Sequence, residues 1–173
     1  MDYRTLVKKI KDKQEVIKTN QAELKRLKTE LKRLKTLLKT TFPTLEEAQP
    51  GDKLADGCVV IERYPKTLLH NERLLIAAPK ETQVCCAWGN EFTQVRIKLK
   101  KHGLNPPDWF LPSFDQLKLA LKNAKHHFCF YWYWSSTEVD SFNAYFVSFC
   151  GGSHTSLNKM ENGGVSAFRF IEL

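Results

Sequence analysis

The sequence predicts an α+β protein in two parts: a long helical coiled coil over residues 1–41, then a globular domain over residues 51–173. Three observations predict it. Apolar residues recur in steps of three and four from Tyr3 to Leu38, with no Gly or Pro between them. Residues 1–40 hold 13 Lys/Arg and 5 Asp/Glu, so they carry the whole net charge of +8, and the rest of the chain is balanced. Beyond residue 51 short apolar runs alternate with turn residues, and two helical patterns lie between them.

The first part fits five heptads. Tyr3, Ile10, Ile17, Leu24, Leu31 and Leu38 take position a, and Leu6, Lys13, Asn20, Leu27 and Leu34 take position d. Glu23 and Glu30 at position g precede Lys28 and Lys35 at the following e positions. Opposite signs at g and the next e favour parallel, in-register self-association. Leu at position a does not favour dimers as β-branched residues do, so a homotrimer is expected over a dimer. The expected oligomerisation residues are Leu6, Ile10, Ile17, Asn20, Leu24, Leu27, Leu31, Leu34 and Leu38. The lysines outside the seam lack interleaved aromatic side chains for base stacking, which disfavours nucleic acid. A basic rod suits an acidic protein surface, such as an anchor on a larger assembly.

Pro43 disfavours helix at Phe42, so the rod ends near Thr40 or Thr41. Residues 42–50 form a Pro-bounded linker, in which Thr44 and Glu47 have capping-box spacing. Residues 58–62 and 74–78 read as buried strands, and residues 92–101 have helical spacing that stops at Gly103. Asn105 to Asp108 is irregular. Ser113 reads as the N-cap of a second helix over residues 114–124, with Gln116 at the capping-box position. Residues 144–149 and 165–171 read as strands, and turns are expected at Gly151-Gly152 and at residues 160–164.

Several motifs in this part are specific. Trp109-Phe110-Leu111-Pro112-Ser113 precedes Asp115-Gln116-Leu117, and Tyr133-Trp134-Ser135-Ser136-Thr137-Glu138 follows. Next come Ala144-Tyr145-Phe146-Val147, Gly151-Gly152 and a last strand bearing Arg169. Together they resemble a bacterial and phage family of C-type-lectin-like domains with a YWSST signature. That family is related to the variable proteins of diversity-generating retroelements and to formylglycine-generating enzymes. The resemblance covers about residues 51–173 and implies a C-type-lectin-like domain behind the coiled coil. Gln116 stands where the family usually has an acidic residue. Fold alone does not settle activity.

No catalytic constellation stands out. Cys85-Cys86 lacks the sequence setting of the related oxidase chemistry, and Ser135 lacks a nucleophile elbow. Adjacent His126 and His127 on a strand would face opposite sides, so no metal site is expected. Five cysteines without CxxC spacing read as reduced thiols. No enzyme activity and no cofactor is expected. Polar loops on a rigid scaffold suit binding. The expected ligand residues are Asp140, Asn143, Ser153, His154, Thr155, Ser156, Asn158 and Lys159. No run of about 20 apolar residues is present to insert in a membrane, and the start Met1-Asp2-Tyr3-Arg4 does not read as a secretory signal. The expected role is a non-enzymatic, homo-oligomeric attachment or display protein of a phage virion. It would be made in the bacterial cytoplasm, anchored to a virion protein, and would bind a host surface receptor or glycan. The alternatives are a structural virion component whose head contacts another protein, and an intracellular bacterial binding protein or effector.

Overall fold

The computed structural model describes residues 3–89, 91–104 and 107–173, and the chain divides into two units, residues 1–41 and 42–173. Asn105 and Pro106 of the expected irregular stretch lie outside the described residues.

Tyr3–Thr41 is one uninterrupted helix, α1, about 58 Å long at 1.5 Å per residue. Four of its threonines bond back along the helix. The hydroxyls of Thr19, Thr29, Thr36 and Thr41 donate to the carbonyls four residues earlier, at 2.8–3.1 Å. The expected coiled coil is corrected here. A coiled coil requires at least two helices wound on each other, and the other α-helices among the described residues have only 11 residues each. The expected seam residues from Leu6 to Leu38 remain about half exposed, from 45% at Leu6 to 56% at Leu27. Asn20 is exposed as well. A heptad pattern is a property of one chain, whereas interdigitated packing needs a second helix. The architecture is therefore a single long helix followed by a β-rich unit compatible with an α+β fold. It replaces the expected lectin-like domain behind a parallel coiled coil.

The second unit begins earlier than the sequence suggests. Ala48 is fully buried, and its carbonyl and that of Glu46 accept from the Arg63 guanidinium at 3.1 and 2.9 Å. The expected linker is thus tied into this unit. Thr44 and Glu47 form a single turn, in which Glu47 N donates to Thr44 O at 3.2 Å.

Strands β1 (Val59–Tyr64), β2 (Arg73–Ala77) and β8 (Phe168–Glu172) form a three-stranded antiparallel sheet in the order β1-β2-β8. A second sheet contains β3 (Val84–Ala87), β4 (Trp132–Glu138), β5 (Asn143–Ser148), β6 (His154–Asn158) and β7 (Asn162–Val165). Its order is β3-β7-β4-β5-β6. The helices are α2 (Glu91–Lys101) and α3 (Phe114–Ala124). The capping box at the start of α3 forms as expected: Gln116 N donates to Ser113 Oγ, and Ser113 N donates to Gln116 Oε1 at 2.8 Å. Such a cap is worth about 1 kcal/mol.

The apolar runs of β1 and β2 are buried on both faces, whereas the edge strand β6 is polar and largely exposed. Side chains alternate between two clusters. Val60, Leu74, Ile76 and Trp134 enter one with Trp109, Val95 and Leu99. Ile61, Leu75, Ala77 and Tyr133 enter the other with Leu117, Phe128, Phe149 and Phe168. Two expectations differ from the structure. Residues 162–164, expected as part of a turn, join Val165 in β7, and residues 154–158 form β6 rather than a loop. Gly163 and Gly164 look like turn residues in sequence. In the sheet they make room: a Cβ at Gly163 would lie 2.6 Å from Trp134 Nε1, and one at Gly164 would lie 2.8 Å from both Phe130 Cβ and the Trp132 carbonyl oxygen.

Replacing Gly163 or Gly164 by Ala is expected to destabilise the second unit by about 1–3 kcal/mol through overpacking. Gly151→Ala, with nothing within 4 Å of the new methyl, is expected to be close to neutral. Chemical denaturation of the three variants beside the parent chain checks this contrast.

Candidate binding site

The YWSST segment is structural. Between Trp134 and Glu138 the β4–β5 register shifts, which pushes Ser135-Ser136-Thr137 out of the ladder. Several of their polar groups nevertheless find partners. Ser135 Oγ donates to Tyr145 O at 2.9 Å and accepts from Thr137 N at 3.1 Å. Ser136 N donates to Pro112 O at 2.8 Å, and Thr137 Oγ1 accepts from Phe114 N at 3.1 Å. The bulge therefore holds the start of α3. Ser135 is fully buried and committed to these bonds, a setting for architecture rather than nucleophilic chemistry.

Beyond the bulge, β4 and β5 are joined by a turn that Asp140 organises. Its carboxylate accepts from Phe142 N at 2.7 Å, Asn143 N at 2.8 Å and the Asn143 side-chain amide. The Asn143 amide and then the Phe142 N–H hold the Asp140 carboxyl below its usual range. The turn between β6 and β7 lies beside it. Lys159 N donates to Phe142 O at 2.8 Å, and Lys159 O accepts from Trp88 N at 2.9 Å. The Lys159 ammonium donates to Glu138 Oε2 at 2.5 Å and to Asp140 O at 2.9 Å, and also reaches Ser141 O. It sits 4.5 Å from the centre of the Trp88 ring, whose Nε1 donates to Ser135 O at 2.8 Å. One largely buried lysine thus bolts two turns to the bulge.

The expected ligand residues divide into two groups. Asp140, Asn143, Asn158 and Lys159 come together at the paired turns, where their polar atoms mostly serve the turns themselves. Asn158 Oδ1, for instance, accepts from Met160 N at 3.0 Å. Ser153, His154, Thr155 and Ser156 lie in or just before β6, the edge strand. His154 packs edge-on to Phe114, which stacks on Tyr145. Beside exposed polar residues such as Glu138, Ser141 and Glu161, the paired turns hold out three apolar side chains: Val139, Phe142 (71% exposed) and Met160 (85% exposed). Val139, Phe142 and Met160 were all absent from the expected ligand set. A methionine beside Asn and Glu in a short connection is the sequence signal that points to this surface.

Elsewhere, His126 and His127 lie in a 3₁₀ turn rather than a strand. His127 Nε2 lies 2.7 Å from Ala78 O, which places the ring proton on that nitrogen. Burial lowers the His127 pKa; the Ala78 carbonyl and Glu81 act in the opposite sense, while Lys53 and Lys80 add to the lowering. Tyr133 is buried with its hydroxyl on Gln83 Oε1, and burial raises its pKa. Cys129 Sγ donates to the same Gln83 oxygen at 2.9 Å. Among the described residues no group of three or more His, Cys, Asp or Glu side chains is placed to hold a metal ion. No described helix is long and apolar enough to cross a membrane. No protein-family model matches the chain, and no curated protein matches it.

Two outcomes follow from this geometry. Lys159→Met is expected to cost about 2 kcal/mol, from charge-assisted hydrogen bonds left unmade. It should also reduce hydrogen-exchange protection of the amide at position 159, measured by NMR. His127 is held neutral in the folded chain below its ordinary value of 6.5. Its contribution to stability is therefore complete above about pH 6.5 and is lost as the pH falls through the lowered value. Thermal unfolding at pH 7.5 and 5 should show this loss, and His127→Gln should flatten it.

Proposed function

We propose that the chain is a non-enzymatic attachment or display protein of a phage particle, whose second unit binds a host surface receptor. The observation that carries this reading is the pair of turns bolted by Lys159, which holds Val139, Phe142 and Met160 out in solvent. Holding large apolar side chains outward on a rigid base suits binding, because little conformational entropy is lost when a partner arrives. The motif resemblance of residues 109–138 to a bacterial and phage family supports the phage setting.

The long helix is assigned the anchoring role in this reading. It carries the entire net charge of the chain and an exposed apolar stripe, which suits docking on an acidic virion protein. Purified full-length chain is expected to bind host cells and to compete with adsorption of the parent particle in a saturable manner. Absence of both binding and competition would refute the reading.

A further inference from the structure

We infer that the paired turns, residues 138–143 and 158–162, are a protein-docking surface whose partner is a basic polypeptide segment with an apolar anchor. The inference rests on the attachment reading and names the chemistry of its partner. Three features lead to it.

The first is what the turns expose. A single surface Leu or Phe is ordinary. Here Val139, Phe142 and Met160 project from two turns joined by the bond from Lys159 N to Phe142 O. The second is what the turns withhold. A sugar is gripped by free donors and acceptors. In these turns the Asp140 carboxylate is occupied by Phe142 N and Asn143, the carbonyls of Asp140 and Ser141 by Lys159, and Met160 N by Asn158. What remains for recognition is the apolar tips, the Glu138 and Glu161 carboxylates and the exposed Ser141, Asn158 and Asn162 side chains, a mixture of apolar contact and charge that suits a polypeptide. The third is sign. Within the two turns Glu138, Asp140 and Glu161 stand against Lys159, a balance of −2, and that lysine is already paired with Glu138. Exposed carboxylates within a Debye length of the apolar tips favour approach by Lys or Arg and disfavour an acidic partner.

The probe is a random dodecapeptide display library, selected on the immobilised full-length chain and counter-selected on the Phe142→Ser/Met160→Ser double variant. Counter-selection removes peptides drawn to the basic helix, because the variant keeps that helix. Enriched peptides are expected to carry an aromatic or aliphatic residue flanked by Lys or Arg. Their affinity should fall at least tenfold in the double variant, several-fold in Glu161→Lys, and with rising salt. Circular dichroism should show both variants folded, since the substituted side chains are exposed. Failure to enrich any peptide, enrichment of acidic peptides, or equal affinity for the double variant would overturn the inference. So would a glycan array in which the chain binds a sugar through Phe142 and Met160. Cell adsorption separates the two readings. Adsorption that survives in the double variant overturns this docking surface and leaves the attachment role standing. An unaltered chain that never adsorbs overturns the attachment role.

Discussion

The close approach of a Gly-Gly pair to an indole sets the geometry of the second unit. Trp134 is fully buried, and Gly163 on the neighbouring strand leaves no room for even one more carbon beside its ring nitrogen. Gly164 does the same for Phe130 and the Trp132 carbonyl. With both glycines in place, β7 lies between β3 and β4, antiparallel to one and parallel to the other. The centre of the five-stranded sheet therefore depends on two residues that contribute no side chain. Close-packed interiors leave no slack for an added methyl at such a contact.

The same strand explains why the aromatic segment is so dense. Tyr133 and Trp134 are adjacent and point to opposite faces, each into a different apolar cluster. Where β4 leaves this two-sided burial, the Ser135-Ser136-Thr137 bulge supplies hydroxyls in place of ladder partners and captures the start of α3. The bulge in turn orients Trp88, and Trp88 supports Lys159. A continuous path of hydrogen bonds and ring contacts thus connects the buried indole to the exposed turns. Rigidity at the tips comes from the core beneath them, which is how a loop surface becomes a preorganised one.

The long helix is governed by different physics. Its heptads place Leu24, Leu31 and Leu38 on one stripe, and the structure leaves that stripe about half exposed. Local interactions along the helix are modest: threonine hydroxyls bond back to carbonyls, and an exposed ion pair joins Arg26 to Glu23 at 3.7 Å. Exposed ion pairs of this kind contribute less than about 1 kcal/mol. The two units also differ in charge, since the helical segment holds all of the excess positive charge. A chain with one basic apolar helix and one electrically balanced unit has two surfaces of different chemistry.

The sequence by itself determined the elements whose signals are local. The helical period without Gly or Pro marks α1, Ser113 with Gln116 marks the start of α3, and the short apolar runs mark β1, β2 and β5. Each depends on neighbours within a few residues, so a linear reading finds it. Tertiary structure decided the rest. Whether a heptad seam is covered depends on a second helix, which one chain's periodicity does not specify, and α1 is a single helix. Gly163-Gly164 reads as a turn by composition and is a strand because Trp134 needs the space. Asp140, Asn143 and Lys159 read as free polar groups, but partners distant in sequence or across the turn consume their hydrogen-bonding capacity. Exposure follows from the same packing. With Asp140, Asn143 and Lys159 paired within the turns, the large apolar side chains of Phe142 and Met160 stand out in solvent beside the remaining exposed polar residues.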